Sequence, residues 1–157
     1  MTNHQPHFSR IKDFLNAIEI PLVEQLIEKV TFLPGIDLKG NTILADLKKL
    51  KYPGDLLHEA GHIAVTEPSI RKKIGTQLLS ENWPTDGEEI AAILWSFAAA
   101  KHIELPLDLL FHPDGYKGES NYLIEQFEQK NYIGLPLLVW MDLCDEHEFP
   151  RMKKWLR

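Results

Sequence analysis

The sequence predicts a mainly helical α+β protein in which a small β-hairpin precedes a buried helix. Apolar residues recur at helical spacing through most of the chain that follows Tyr52. A short stretch before Tyr52 alternates between apolar and polar residues, which is typical of strands. The length of 157 residues favours one hydrophobic core, so we expect a single domain over residues 1–157.

The first part of the chain is expected to contain two helices and then the hairpin. Apolar spacing indicates short amphipathic helices over Phe8–Ala17 and Leu22–Val30. Ile36–Leu38 then alternates, Gly40-Asn41 is a favourable two-residue turn, and Thr42–Leu44 resumes residues typical of strands. These features predict an antiparallel hairpin ahead of the first buried helix.

Helical segments fill the rest of the chain. Pro68 stops the first of them, Ser69 is the predicted N-cap of the second, and Thr85 or Asp86 opens the longest. His112–Gly115 has the residues of a tight turn. The predicted segments are Pro53–Val65, Ser69–Leu79, Asp86–His102, Leu107–Phe111, Ser120–Gln129, Pro136–Cys144 and, at the end, Pro150–Arg157.

Charge and composition argue against several classes of partner. The net charge of −6 disfavours nucleic acid, because phosphate contacts need a basic surface. The longest nearly uncharged apolar stretch, Ile90–Ala100, is too short to cross a bilayer. Cys144 is the single cysteine and cannot form an internal disulfide. We therefore expect a cytoplasmic protein with neither a nucleic-acid nor a membrane partner.

The helix predicted over Pro53–Val65 carries the chemistry. It is apolar on nearly all sides, and the polar residues in its middle are His58, Glu59 and His62. Two histidines at positions i and i+4 lie one turn apart, where both imidazoles can reach one ion. A buried, unpaired carboxylate is costly, so Glu59 needs a reason to be there. The pattern predicts one zinc ion bound by His58 and His62.

His58-Glu59-Ala60-Gly61-His62 is similar to the HExxH signature of zincin metallopeptidases. The order of hairpin, buried helix and later acidic helix resembles the gluzincin and ImmA/IrrE-like branches. The resemblance implies that His58 and His62 are zinc ligands and that Glu59 is the general base that activates a zinc-bound water. It implies a zinc-dependent hydrolase, most simply a small metallopeptidase that acts on a peptide or protein substrate. The metzincin variant is excluded, because Val65 and Pro68 occupy its next two motif positions.

The third metal ligand has several candidates. In gluzincin-like proteins, a glutamate from a following helix completes the site, and Glu88 and Glu89 open the helix that runs to His102. We prefer Glu89, because the residues on its face are small enough to pack closely on the buried helix, whereas Trp95 lies on the face of Glu88. His112, beside the tight turn, is a further alternative. The small residues on the Glu89 face are Ala92, Ser96, Ala99 and Ala100.

Three functions remain open at this point. The alternative to an enzyme is a non-catalytic metal-binding or regulatory domain that keeps the HExxH site, closed by a fourth protein ligand such as His112 together with Glu89. A third possibility is an interaction module without metal. The presence of Glu59 favours the enzyme, because a structural zinc needs no general base. Tyr116, just past the turn, could donate a hydrogen bond to an oxyanion.

Overall fold

The computed structural model describes residues 5–157 and is mainly helical, which confirms the predicted α+β class. Among these residues, no helix combines the length and the apolar character needed to cross a membrane. The strands are β1 (Leu22–Glu24), β2 (Ile36–Lys39) and β3 (Thr42–Ala45). The helices are α1 (Gln5–Ala17), α2 (Gly54–Val65), α3 (Pro68–Arg71), α4 (Asp86–His102), α5 (Leu107–Leu110), α6 (Ser120–Glu128) and α7 (Leu135–Trp140), with a 3₁₀ turn over Tyr116–Gly118.

The strands form one small sheet in the order β1-β3-β2. β2 and β3 are antiparallel, with Lys39 opposite Thr42, and Gly40 has the positive φ of 59° that the two-residue turn requires. The predicted hairpin is therefore confirmed. Because β3 lies in the centre, β2 forms one edge of the sheet.

The prediction of a helix over Leu22–Val30 is wrong. Its first three residues form β1, which pairs in parallel with β3, and residues 25–30 form a loop. The Ile27 N–H donates to the Asp46 carboxylate at 3.0 Å, and the Pro21 carbonyl accepts from the Ile43 N–H at 2.9 Å. The apolar residues of this segment are thus buried by pairing with a distant strand, which no local periodicity shows.

The helix predicted over Ser69–Leu79 is also much shorter than expected. Only α3 is helical, and its N-cap is Glu67 rather than Ser69. The chain then turns back onto the hairpin, where the Ile74 carbonyl accepts from the Gly40 N–H at 2.9 Å. Gly75 has a φ of 81° and a side chain there would collide with the Leu38 carbonyl, so the helix cannot continue.

The last two predicted segments are corrected as well. The segment Pro136–Cys144 is helical only as α7, because Asp142 adopts a left-handed φ of 61°. Residues Pro150–Arg157 are not helical but extend across the end of α2. There the Arg157 N–H donates to the Ala64 carbonyl at 2.9 Å, and the Trp95 indole donates to the Trp155 carbonyl at 3.0 Å. Arg157 thus donates a hydrogen bond to a carbonyl group at the C-terminal end of α2.

α2 and α4 pack against each other through small residues, as the Glu89 face predicts. A Cβ placed on Gly61 would lie only 2.7 Å from the Ala92 carbonyl oxygen of α4. Leu56, Leu57, Ala60, Ile63, Ala64 and Val65 of α2 are fully buried. The two helices that carry the polar motif residues are therefore held at close range by the absence of a side chain at position 61.

We expect Gly61→Ala to lower the free energy of unfolding by about 2 kcal/mol, because overpacking against a backbone carbonyl forces the helices apart. Gly87→Ala is the matched control, since a Cβ on Gly87 of α4 meets nothing within 4 Å. That variant should be neutral or up to about 1 kcal/mol more stable. Urea unfolding of both variants measures the difference, and equal shifts would contradict the packing described for Gly61.

Candidate metal centre

His58, His62 and Glu89 converge where α2 crosses the start of α4. The Glu89 carboxylate bridges both histidines: one oxygen lies 2.9 Å from His58 Nε2 and the other 2.5 Å from His62 Nε2. One donor atom from each of the three residues lies within 4.8 Å of the other two. The two imidazole rings are 4.7 Å apart and inclined by 70°, and both Nε2 atoms face the Glu89 carboxylate.

The start of α4 determines which glutamate reaches the histidines. Thr85 and Glu88 form a capping box, in which the Thr85 N–H donates to the Glu88 carboxylate at 3.0 Å and the Glu88 N–H donates to the Thr85 hydroxyl at 3.2 Å. The Glu88 carboxylate is therefore engaged in capping the N-terminus of α4. Glu89, the next residue, is left to point towards α2, and its side chain is 38% exposed.

The charges of this cluster stabilise one another. Burial alone would lower the pKa of His62, but hydrogen bonds and attraction from Glu59 and Glu89 raise it to about 9. Burial likewise opposes ionisation of Glu89, yet its hydrogen bonds with His58 and His62 hold its pKa well below the usual range. Without a metal, the buried His62 is thus protonated at neutral pH and Glu89 is ionised.

This arrangement predicts a pH dependence for the metal-free protein. A histidine whose pKa is higher in the folded than in the unfolded chain stabilises the fold while it is protonated. The contribution of His62 is complete below its unfolded value of 6.5 and is lost as the pH rises through about 9. In chelator, the free energy of unfolding should fall across that window, and His62→Gln should flatten the slope. An identical slope in the variant would contradict the assigned pKa.

Tyr116 holds the first histidine from its other side. Its hydroxyl lies 3.0 Å from His58 Nδ1, and the two rings stack at 5.1 Å. Tyr116 and Lys117 adopt left-handed φ values of 57° and 55°, which are strained for residues with side chains. Burial and nearby carboxylates raise the pKa of Tyr116, so its hydroxyl is neutral. It can accept a hydrogen bond from Nδ1–H and leave Nε2 free to bind metal.

The structure therefore gives Tyr116 a positioning role. The hydrogen bond to an oxyanion that the sequence suggested would require the hydroxyl to leave His58. His112 lies outside the group formed by His58, His62 and Glu89. Its Nε2 is 2.7 Å from the Asp55 carboxylate, and its ring stacks on Tyr52 at 3.7 Å.

The buried pair formed by Asp55 and His112 was missed by the sequence reasoning. Both side chains are only 7% exposed, and burial raises the pKa of Asp55 against the lowering effect of His112. The pair ties the first turn of α2 to the turn that precedes Tyr116. One signal was present: Asp55 is a further polar residue in an apolar helix, three positions before His58.

Glu59 faces a cleft of about 340 Å³ that also reaches β2 and Trp83. Its carboxylate lies 3.5 Å from His62 Nδ1 and is 14% exposed. Trp83 packs edge-on against His62 at 5.9 Å, and its indole donates to the Thr66 hydroxyl at 2.9 Å. The cleft therefore adjoins the group of possible metal ligands through both Glu59 and Trp83.

The donor set fits zinc. Zinc accepts imidazole nitrogen and carboxylate oxygen at about 2.0–2.1 Å, which places tetrahedral ligand atoms about 3.3 Å apart. The Glu89 oxygens are 2.9 and 2.5 Å from the imidazole nitrogens, so the carboxylate would have to move back from the histidines to admit an ion between them. No protein-family model, curated protein or solved structure matches the chain, so the case for this centre rests on its own residues.

Tyr116→Phe tests the contact with His58. Loss of the hydroxyl leaves Nδ1 without its partner, and zinc affinity should fall about tenfold or more, as for other outer partners of metal-binding histidines. Tyr122→Phe is the matched control, because Tyr122 is half exposed on α6. Competition with a fluorescent zinc chelator measures both variants. Equal affinities for the two would exclude a positioning role for Tyr116.

Proposed function

We propose that this protein is a zinc-dependent hydrolase of the peptidase type. The observation that carries the proposal is the convergence of His58, His62 and Glu89 beside Glu59 and an open cleft. His58, His62 and Glu89 would hold one zinc ion. When bound, zinc supplies a Lewis acid that polarises a carbonyl and acidifies water. The cytoplasmic location suggested by the sequence stays a prediction.

Glu59 would serve as the general base. Water adds to the peptide carbonyl, the C–N bond breaks, and the products are a carboxylate and an amine. The Glu59 carboxylate takes the proton of the attacking water and returns one to the leaving amine. Glu59 suits this role because its side chain lines the cleft and its carboxylate lies 3.5 Å from His62 Nδ1.

β2 offers a backbone edge to an extended substrate. The Asp46 N–H donates to the Gly35 carbonyl at 2.8 Å. The backbone N–H and C=O groups of every second residue from Gly35 therefore point towards β3. The Ile36 carbonyl and the Leu38 N–H therefore point to the open side of the sheet, and both residues line the cleft. A peptide could pair with these groups as an added strand. At the Lys39 end of β2, Ile74 and Gly75 lie against the chain and close this edge.

The number of ligands supports the enzyme over the non-catalytic alternative. A structural zinc site uses four protein ligands, whereas hydrolytic sites use three and leave a position for water. Among the described residues, the group of possible ligands contains three members. His112, the proposed fourth ligand, is instead bonded to Asp55.

The test is zinc-dependent cleavage of a random-sequence peptide library, followed by mass spectrometry. The purified chain with one equivalent of zinc should produce new amino termini, chelation should stop this, and added zinc should restore it. If the protein binds one zinc ion but cleaves no peptide, the non-catalytic alternative replaces the enzyme. If no zinc is bound at all, both are excluded.

A further inference from the structure

The loop between β1 and β2 exposes large apolar side chains at the rim of the cleft. Val30 is 99% exposed and Phe32 is 97% exposed, although a folded chain ordinarily gains free energy by burying such groups. Both residues line the cleft that contains Glu59. We call Val30 and Phe32 the apolar rim.

The loop that carries the apolar rim is anchored at both ends. Ile27 is buried, and its N–H donates to Asp46 at 3.0 Å. At the other end, the Ile36 N–H donates to the Leu33 carbonyl at 3.3 Å, and Ile36 is buried in the core. The loop is thus held at both ends, and between these two anchors it exposes Val30 and Phe32 beside the cleft.

Among the residues that the structure describes, the charged side chains that line the cleft already have partners. Lys29 also lines the cleft, but its ammonium pairs with Asp37 of β2 at 2.9 Å. The Glu59 carboxylate lies 3.5 Å from His62 Nδ1, and Trp83 is a further aromatic residue of the lining. A charged side chain of a ligand, of either sign, would therefore meet groups that already have partners, whereas an apolar one would meet Phe32, Val30 and Trp83.

We propose that this cleft recognises extended polypeptide segments through a bulky apolar side chain that packs against Phe32 and Val30. The inference rests on the proposed function, because it takes the ligand to be the substrate of Glu59. The backbone of the segment pairs with the open edge of β2, and its apolar side chain covers the rim. Leucine, phenylalanine and methionine fit this role, and aspartate, lysine and glycine do not.

Binding of defined peptides separates this inference from catalysis. The probes are fluorescent octapeptides of Gly, Ser and Thr with one central residue varied as Leu, Phe, Asp or Lys. Their dissociation constants are measured with the zinc-loaded Glu59→Gln variant, and their kcat/KM with the native chain. Phe32→Ala is the test variant, and Leu26→Ala is its control. Leu26 is 70% exposed on the same loop but does not line the cleft.

We expect the Leu and Phe peptides to bind about tenfold more tightly than the Asp and Lys peptides. Phe32→Ala should remove most of that preference, and Leu26→Ala should retain it. This result supports the inference even if the native chain cleaves nothing, in which case only the hydrolase proposal fails. Cleavage or binding that ignores the varied residue would overturn the inference and leave the hydrolase proposal intact. A dimer by sedimentation that Phe32→Ala dissociates would also overturn it, since a second copy would then cover the rim.

Discussion

Glu59→Gln is expected to lower peptide cleavage by about a thousandfold while the chain still binds one zinc ion. Glutamine keeps the shape of the side chain and an oxygen beside His62, but it cannot accept and return a proton. General-base catalysis contributes about 10²- to 10⁴-fold to rates. The effect should fall on kcat, because Glu59 acts in the proton transfer rather than in holding the substrate.

Glu88→Gln is the matched control for this loss. The two glutamates undergo the same chemical change, but Glu88 belongs to the capping box, where glutamine also serves as an acceptor. Cleavage and zinc content should therefore stay near those of the native chain. Unchanged cleavage by Glu59→Gln would refute the assigned base, and loss of zinc from Glu88→Gln would restore Glu88 as a candidate ligand.

His62→Ala has the largest expected effect on metal binding. Removing one ligand of a zinc site sacrifices about 3 kcal/mol of binding free energy, which lowers affinity about a hundredfold or more. The variant also leaves Glu89 with one histidine instead of two. Titration against a zinc-chelating dye measures the affinity, and circular dichroism in chelator checks that the metal-free variant folds.

His147→Ala controls for the loss of a histidine as such. His147 is exposed and lies outside the group of possible ligands. The affinity of the His147→Ala variant for zinc should match that of the native chain. Where His62→Ala fails to fold, Glu89→Gln supplies the second test, because it keeps the size of the side chain and removes the charge. If both the His62 and Glu89 variants bound zinc as the native chain does, the metal would have to lie elsewhere.

Local features were the predictable part of this molecule. The hairpin follows from Gly40 between two alternating stretches, and the start of α4 follows from the spacing of Thr85 and Glu88. α2 was predictable because most of its residues are apolar and only a few are polar. The packing of Gly61 on Ala92 was also expected, since the small residues of α4 share one face. In each case the signal lies within one turn or one helix.

Features that depend on distant partners were not predictable. β1 exists because Leu22 pairs with Ile43, and an isolated segment with its spacing equally suits a helix. α3 ends early because the chain returns to the hairpin at Gly75. The pairing of Asp55 with His112 spans 57 positions, and no local pattern links them. The contact of Tyr116 with His58 likewise depends on how the turn is folded onto α2.

The most direct measurement is a crystal structure of the chain with one equivalent of zinc, with the ion located by anomalous scattering. We expect one ion bound by His58 Nε2, His62 Nε2 and the Glu89 carboxylate, with a solvent ligand towards Glu59. Tyr116 should remain on His58 Nδ1, and His112 should remain on Asp55. An ion bound by four protein side chains would contradict the hydrolase. An ion away from His58 and His62, or no ion at all, would contradict the metal centre itself.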